Sequence, residues 1–538
     1  RVRTRRRRPP RRRRRTPRPG AGTDPGPSAA AAPARAAAAA GELEAGPAHR
    51  SLVLAALVIG MFMAAIEATV VATAVPSIVG DLQGFHLFSW LFSSFTLAQA
   101  VTTPLFGRLS DIIGRKPVYA AGAGLFLVGS LLCGLSGSMV QLILFRGIQG
   151  LGAGAIFPMA MTIVGDIYTP VERARIQGYL SSVWGISSVI GPALGGVLVS
   201  TLGWPWVFYV NLPIGVVSVA MLLAFHREPP RRRGARLDLA GAALLVLGVT
   251  SLIVLLTQRQ TVALTSGPGL VLAALAVAGL AAFIYWERRA PEPLLPLELI
   301  TRPLIAAANT GAALAGVLVI ALSSLVPLFV QGVLGRSPTV AGFSLAAMSI
   351  GWPLAATASG HLILRTGYRR TAALGALFGV AGAGVLLTAG TGTSPFWVAL
   401  GTALSGAGFG LTTTPYVIAI QSAVPYQERG VTTASHAFAR QLGQAVGAAV
   451  VGGFLTSRLV AHLQAADVPG AGEVGVDAVN QLLAEGTAVL PAGVQGALLS
   501  SLDAAIHDTL LGVLVLSAAV LLVARRLPPD GPTDESRG

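Results

Sequence analysis

Charge is scarce in this 538-residue chain. Only 12% of its residues are Asp, Glu, Lys or Arg, 53% are hydrophobic, and the mean hydropathy is +0.68. Soluble domains carry roughly 25% charge, so the composition excludes a soluble globular protein and places most of the chain in a bilayer. Cysteine is nearly absent: Cys133 stands alone in an apolar run, which excludes an internal disulfide and reads as core packing. Lysine is as rare, with Lys116 the one Lys among 39 basic residues, a bias that fits a GC-rich bacterial genome. No glycine loop ends in Lys-Ser or Lys-Thr to cradle a phosphate, and no His or Cys group has metal-ligand spacing. ATP hydrolysis, a metal and a cofactor are therefore not expected, nor is an enzyme.

The formal net charge of +16 suggests a nucleic-acid partner until its distribution is followed. Residues 1–50 hold 14 Arg against Asp24, Glu42 and Glu44, which leaves +5 for everything after Arg50. That Arg-, Pro- and Ala-rich stretch reads as a disordered cytoplasmic tail. A nucleic-acid-binding membrane protein would rest on this tail alone, and no nucleic-acid partner is expected. No signal peptide with a cleavage site follows, so the first apolar run is expected to stay as a span.

Apolar runs of the roughly 20 residues that cross a bilayer recur along the chain. They are expected near 52–75, 88–106, 118–136, 140–162, 177–199, 206–225, 238–257, 268–286, 304–329, 339–361, 371–390, 395–420, 431–455 and 506–524, fourteen in all. With the N-terminus inside, the cytoplasmic connections and C-terminal tail hold twenty basic residues and the outer ones only Arg259, Arg336 and Arg458. The positive-inside rule thus supports both the count and cytoplasmic termini.

Between the second and third runs lies GRLSDIIGRK, with Gly107, Arg108, Asp111, Gly114, Arg115 and Lys116. Its echo is GHLILRTGYR at Gly360–Arg369, with glycines again seven apart and Leu364 where Asp111 stands. A second pair, TPVERAR at Thr169–Arg175 and VPYQERG at Val424–Gly430, has a similar offset. Two copies of a six-span unit, separated by the spans in 238–286, account for both, and duplicated halves around a central site are a transporter plan. The expected organisation is a tail over 1–50, a first half over 51–225, two additional spans over 226–302, a second half over 303–524 with an outer loop over 456–505, and a tail over 525–538.

Single residues carry the chemistry. Glu67 lies about 22 Å along its span at 1.5 Å per residue. An ionised carboxylate there is costly, so it should face the bundle interior, where proton uptake and release is its natural chemistry. A structural carboxylate paired with an arginine is the other reading. Arg146 shares a helix face with Gln149 and Gly150, and whether Glu67 is its partner stays open. Gly185, Gly191, Pro192, Gly195 and Gly196 make a bent, small-residue face for close helix contact. Arg440, with His436, Gln441 and Gln444, is a polar stripe that either borders a cavity or bonds neighbouring helices. Asp166, Glu172 and Arg173 flank the end of the fourth run and are expected, with Asp111 and Arg115, to form a cytoplasmic latch for the outward-open state. Met61, Phe95, Phe157, Trp184 and Trp352 can supply soft aromatic walls, but such residues more often face lipid or core, so none is taken as a binding residue.

GRLSDIIGRK resembles the loop signature of the major facilitator superfamily. LILFRGIQGLGAG at Leu142–Gly154 resembles its fourth-span motif, and WGISSVIGPALGG at Trp184–Gly196 the fifth-span motif of its antiporters. IEATVVATAVP at Ile66–Pro76, WPWVFYVNLPIG at Trp204–Gly215 and RQLGQAVGAAVVG at Arg440–Gly452 are similar to motifs of its fourteen-span drug:proton antiporter family, although Glu67 stands where aspartate is usual. The resemblance implies an all-α integral membrane fold of two six-helix halves plus two central spans. It also implies a monomeric exporter in a bacterial cytoplasmic membrane, coupling protons through Glu67 and Arg146 to small amphiphilic or cationic substrates, with membrane lipid around it. An exporter of lipid or an endogenous metabolite, and an uptake symporter of the same fold, remain open alternatives.

Overall fold

In a bilayer each backbone N–H and C=O has to be satisfied within the protein, which leaves helices as the answer for a chain of long apolar runs. The computed structural model describes residues 47–83, 87–228, 237–258, 265–466 and 492–529, and among them there is no strand. The long helices are α1 (Pro47–Leu82), α2 (Phe88–Ile113), α3 (Arg115–Gly134), α4 (Met139–Ile167) and α5 (Pro170–Leu202). The short α6 (Trp206–Tyr209) leads into α7 (Asn211–Phe225), followed by α8 (Leu239–Thr257), α9 (Gly267–Glu287) and the short α10 (Leu297–Ile300). Then come α11 (Pro303–Leu328), α12 (Pro338–Leu387), α13 (Pro395–Ser422), α14 (Arg429–Ala465) and α15 (Ala492–Ala524).

Twelve helical segments among the described residues are long and apolar enough to cross a membrane. One is the 50-residue α12, which bends at Gly367 (φ 83°, ψ 173°) and joins two apolar runs. The 26-residue α2 falls outside the twelve because polar residues dilute it. Dividing α12 at Gly367 and adding α2 gives a number consistent with the fourteen runs of the sequence.

Local signals set several helix starts. Thr169 accepts from the Glu172 backbone N–H while Glu172 accepts from the Thr169 N–H, and Pro170 opens α5. Asp238, Ser266 and Ser394 cap α8, α9 and α13.

The helices pack in two groups. In the first, α1 lies on α4, α5 and α7, and α3 and α4 pair closely. In the second, α12 pairs with α13 and α15, and α11 with α14. The groups meet where α5 runs along α12 and where α14 crosses α2 and α4. The hairpin of α8 and α9 sits at one such seam, with α8 touching both α2 and α14.

The outer loop expected over 456–505 is shorter than that. Residues up to Ala465 continue α14, and α15 begins at Ala492. Arg458 Nε on α14 donates to Asp508 Oδ2 on α15 (2.6 Å), and His462 Nε2 lies 2.8 Å from the same oxygen, so polar pairing extends both helices beyond their apolar parts. The expected tails over 1–50 and 525–538 lie mostly outside the described residues.

Candidate transport site and latch

Glu67, midway along α1, is fully buried, and its partner is Arg146 on α4 (Nη1–Oε1 2.5 Å). Asn211 Nδ2, at the start of α7, donates to the other carboxylate oxygen of Glu67. Arg146 also donates to Gln149 Oε1 (2.7 Å) and to the Leu91 carbonyl (3.2 Å), while Gln149 Nε2 and Asn211 Nδ2 both donate to Ser130 Oγ (2.7 and 3.2 Å). Phe95 and Phe208 cover the guanidinium, their ring centres 4.3 and 6.0 Å from Cζ. Burying one charge in apolar surroundings is prohibitive, and a hydrogen-bonded pair is the form in which it survives. The cluster therefore joins α1, α3, α4 and α7 into one polar knot. Asn211 and Ser130 were not foreseen as its members; a lone Asn opening an apolar run was the available signal for the first.

The loop that joins α2 to α3 turns at Gly114, whose φ of 101° favours glycine. This turn points Arg115 back into the protein. Arg115 donates to Asp111 Oδ1 (2.9 Å), Asp166 Oδ2 (3.0 Å), the Ser110 carbonyl (2.9 Å) and the Tyr426 carbonyl (2.5 Å), and it stacks on the Tyr426 ring at 4.0 Å. Tyr426 precedes α14, so these bonds cross between the two helix groups. Asp111 crosses as well. Its two oxygens accept from the Gly430 and Val431 N–H groups (3.0 and 2.8 Å), the first turn of α14, where a carboxylate meets the positive end of the helix dipole. Asp166 bonds Arg429 (3.1 Å), which reaches the Gly165 and Gln421 carbonyls too.

Space as well as charge is tight here. A Cβ on Gly107 would meet the Ala434 side chain and, at 3.1 Å, the Gly430 carbonyl. The absence of a side chain at Gly107 is what lets α2 cross α14 at bonding range.

Not every expected latch residue belongs to this cluster. Arg173 is buried against the Tyr168 carbonyl (2.9 Å) and Gln421 Oε1 (3.5 Å), so it does bridge the groups. Glu172 does not: it is spent on capping α5, and its remaining contact is a half-exposed pair with Arg50 at 3.4 Å. Lys116 points to the end of α7, bonding the Leu223 and His226 carbonyls (2.7 and 2.9 Å), with its own N–H on Glu228 (2.5 Å). Burial, with Lys116 and Arg115 nearby, pushes the His226 imidazole down to about 4, so it stays neutral beside Glu228 at physiological pH.

The glycine face of α5 divides between two neighbours. Gly185 faces α12, where a Cβ would lie 2.7 Å from the Ser349 carbonyl. Gly191 and Gly195 face α1 instead, at Thr69, Val70 and Thr73, the turns just after Glu67. Gly196 has nothing within 4 Å of its Cβ direction, and Pro192 is exposed, so neither belongs to the packing surface. Arg440 lies apart from both clusters, on α14, with its guanidinium 5.4 Å from the ring centre of Phe157 on α4.

Residues 57–448 match a family described as Major Facilitator Superfamily. The chain belongs to that superfamily. It is a multi-pass membrane transporter by that membership. Among curated proteins it is 34% identical over 416 residues to the multidrug transporter protein MdtP of Bacillus subtilis, a match covering 77% of either chain. It is 33% identical to multidrug resistance protein 3 of the same species, over 76% of this chain and 80% of the relative. Multidrug resistance protein Stp of Mycobacterium tuberculosis is 31% identical over 77% of each. Of solved structures, the human organic anion transporter MFSD10 shares the superfamily fold with a TM-score of 0.58 at 16% identity, covering 88% of this chain and 100% of that one. A bacterial homologue of the iron transporter ferroportin does so with a TM-score of 0.57 at 13% identity, over 88% and 99%.

Proposed function

We propose that this superfamily member exports hydrophobic or cationic drugs and toxic compounds across a bacterial cytoplasmic membrane in exchange for protons, by alternating access and as a monomer. The observation that carries the reading is the Glu67–Arg146–Asn211 cluster, a buried acid with a permanent cation against it, in a chain over 30% identical to multidrug transporters. A proton arriving at Glu67 neutralises one partner of a buried pair. That frees Arg146 and loosens the joint between α1, α4 and α7, and the turns of α1 after Glu67 lie directly on the glycine face of α5. Protonation thus has a mechanical route to the α5–α12 seam, and proton and substrate favour different states of one cavity.

The basic residues of the sequence put the Asp111 cluster and both termini on the cytoplasmic side. With its bonds made, that side is shut and the protein faces outward. The moving bodies are the two halves, 51–225 and 303–524, and the spans within 226–302 ride at a seam.

The test is Glu67→Gln in inverted vesicles. The variant should insert and fold as wild type yet lose efflux of ethidium driven by a pH gradient. Wild-type coupled efflux by Glu67→Gln would refute the assignment. Export of a lipid or an endogenous metabolite by the same cycle would appear as gradient-driven transport of that compound with no protection of an efflux-deficient host against toxic dyes.

A further inference from the structure

Two arginines, Arg146 and Arg440, lie inside the apolar runs rather than at their ends, and their situations differ. Arg146 is paired with Glu67 and bonded to Gln149 and a backbone carbonyl, and that cluster is closed, with Glu67 and Asn211 wholly buried. Arg440 is partly buried, and among the described residues no carboxylate lies within 4.0 Å of it. It sits eleven residues into α14, about 16 Å along the axis from the Asp111 cluster, which is near the middle of the bilayer. Phe157, ten residues from the end of α4, meets it at similar depth from the other helix group.

An arginine at that depth is expensive without a counter-charge, and a ring face replaces one only in part. The acids of the two clusters are engaged elsewhere: Glu67 by Arg146 and Asn211, Asp111 and Asp166 by Arg115 and the start of α14. Further polar atoms on the neighbouring surfaces are unmet. Asn309 Oδ1 on α11, and His436 Nδ1 and Gln441 Oε1 on α14, are buried without a hydrogen-bond partner. Beside Phe157 stands Trp184 of α5, its ring centre 6.5 Å away and its side chain 42% exposed. A guanidinium and two aromatic rings thus meet where the helix groups face each other.

We propose that Arg440 docks the acidic group of an amphiphilic anion, whose apolar body lies on Phe157 and Trp184. The chain then takes acid-bearing compounds as well as the hydrophobic and cationic ones of the exporter reading, on which this inference rests. A guanidinium offers five N–H donors in a planar fork that matches a carboxylate, so the preference should be for charge and shape together.

The experiment measures binding of a dansyl-labelled long-chain carboxylate and of its methyl ester to the full chain in nanodiscs of neutral phospholipid. Wild type should bind the acid about tenfold more tightly than the ester, the scale of one charge-assisted hydrogen bond. Arg440→Gln should erase that difference with the ester's affinity unchanged, and Arg440→Lys should keep part of it. Equal binding of acid and ester by wild type overturns the proposal, as does a preference that survives in Arg440→Gln. If Arg440→Gln does not fold, the wild-type comparison and Arg440→Lys decide: a preference undiminished in Lys, which lacks the fork, also counts against it. Binding needs no gradient, so lost dye export with the acid preference intact sinks the exporter reading alone. Equal binding in an export-competent protein sinks this one alone.

Discussion

The two copies of the loop, Gly107–Arg115 and Gly360–Arg369, have kept the same backbone and diverged in chemistry. Gly114 and Gly367 stand at the same place in each and both have positive φ, 101° and 83°. The glycine before each, Gly107 or Gly360, brings its helix against a backbone carbonyl of the other group, Gly430 or Ala174. Yet Asp111 and Arg115 are buried in bonds to α14 and Tyr426, while Leu364 is 36% exposed, Tyr368 stands in the place of Arg115, and Arg369, in the place of Lys116, turns to the Leu527 carbonyl (2.9 Å). Glycine therefore sets the turn, and the carboxylate makes the bonds across to α14. Of the two seams between the helix groups, the one at α2 and α14 is held by charge and the one at α5 and α12 by shape.

The strongest way to break this comparison is to give the first loop the residue of the second. Asp111→Leu leaves two N–H groups of α14 and part of Arg115 unpaired, at a cost of about 3 kcal/mol for disrupting a buried pair. The ratio of closed to open forms at the α2–α14 seam should fall roughly a hundredfold. Spin labels on the ends of α2 and α14 beside Asp111 would report it as a longer distance, and the one native thiol, Cys133, is buried. Asp111→Asn keeps an acceptor for one of those N–H groups and should slow transport while leaving drug binding intact. Lost binding would count against a latch.

Smaller effects separate the turn from the latch. Gly114→Ala and Gly367→Ala each force a side chain into positive φ, worth about 1–2 kcal/mol, and should lower thermal stability alike. Only Gly114→Ala should also slow transport, because its methyl collides with the Glu228 carboxylate that holds Lys116. Smallest of all is Leu364→Asp, within about 0.5 kcal/mol, since an acid at this exposed position, with Tyr368 rather than an arginine four residues on, makes no buried pair. A marked slowing of the cycle by Leu364→Asp would mean that position matters more than the bonds Asp111 makes to α14.

Much of this was legible in the sequence because it depends on spacing within a helix. The spans, the duplicated loop, the Arg146–Gln149 face and the pairing of Asp111 with Arg115 at i, i+4 are of that kind. The missing parts depend on which helix lies next to which. Asn211 completes the Glu67 site only because α7 lies on α1, and Arg429 reaches Asp166 only because α14 crosses α4. Glu172 stays out of the cluster for a subtler reason: Thr-Pro-Val-Glu is a helix start, and that local role has first claim on the carboxylate. Gly196 was grouped with Gly195 by motif, although adjacent residues on a helix point in different directions.

The central claim is that proton and drug exchange through Glu67, and the most direct measurement is proton release on drug binding. Ethidium added to the purified chain in weakly buffered solution, with a pH-indicating dye present, should release protons from wild type and none from Glu67→Gln, with ethidium bound in both cases. Binding without proton release by wild type, across the pH range where transport occurs, would contradict the account.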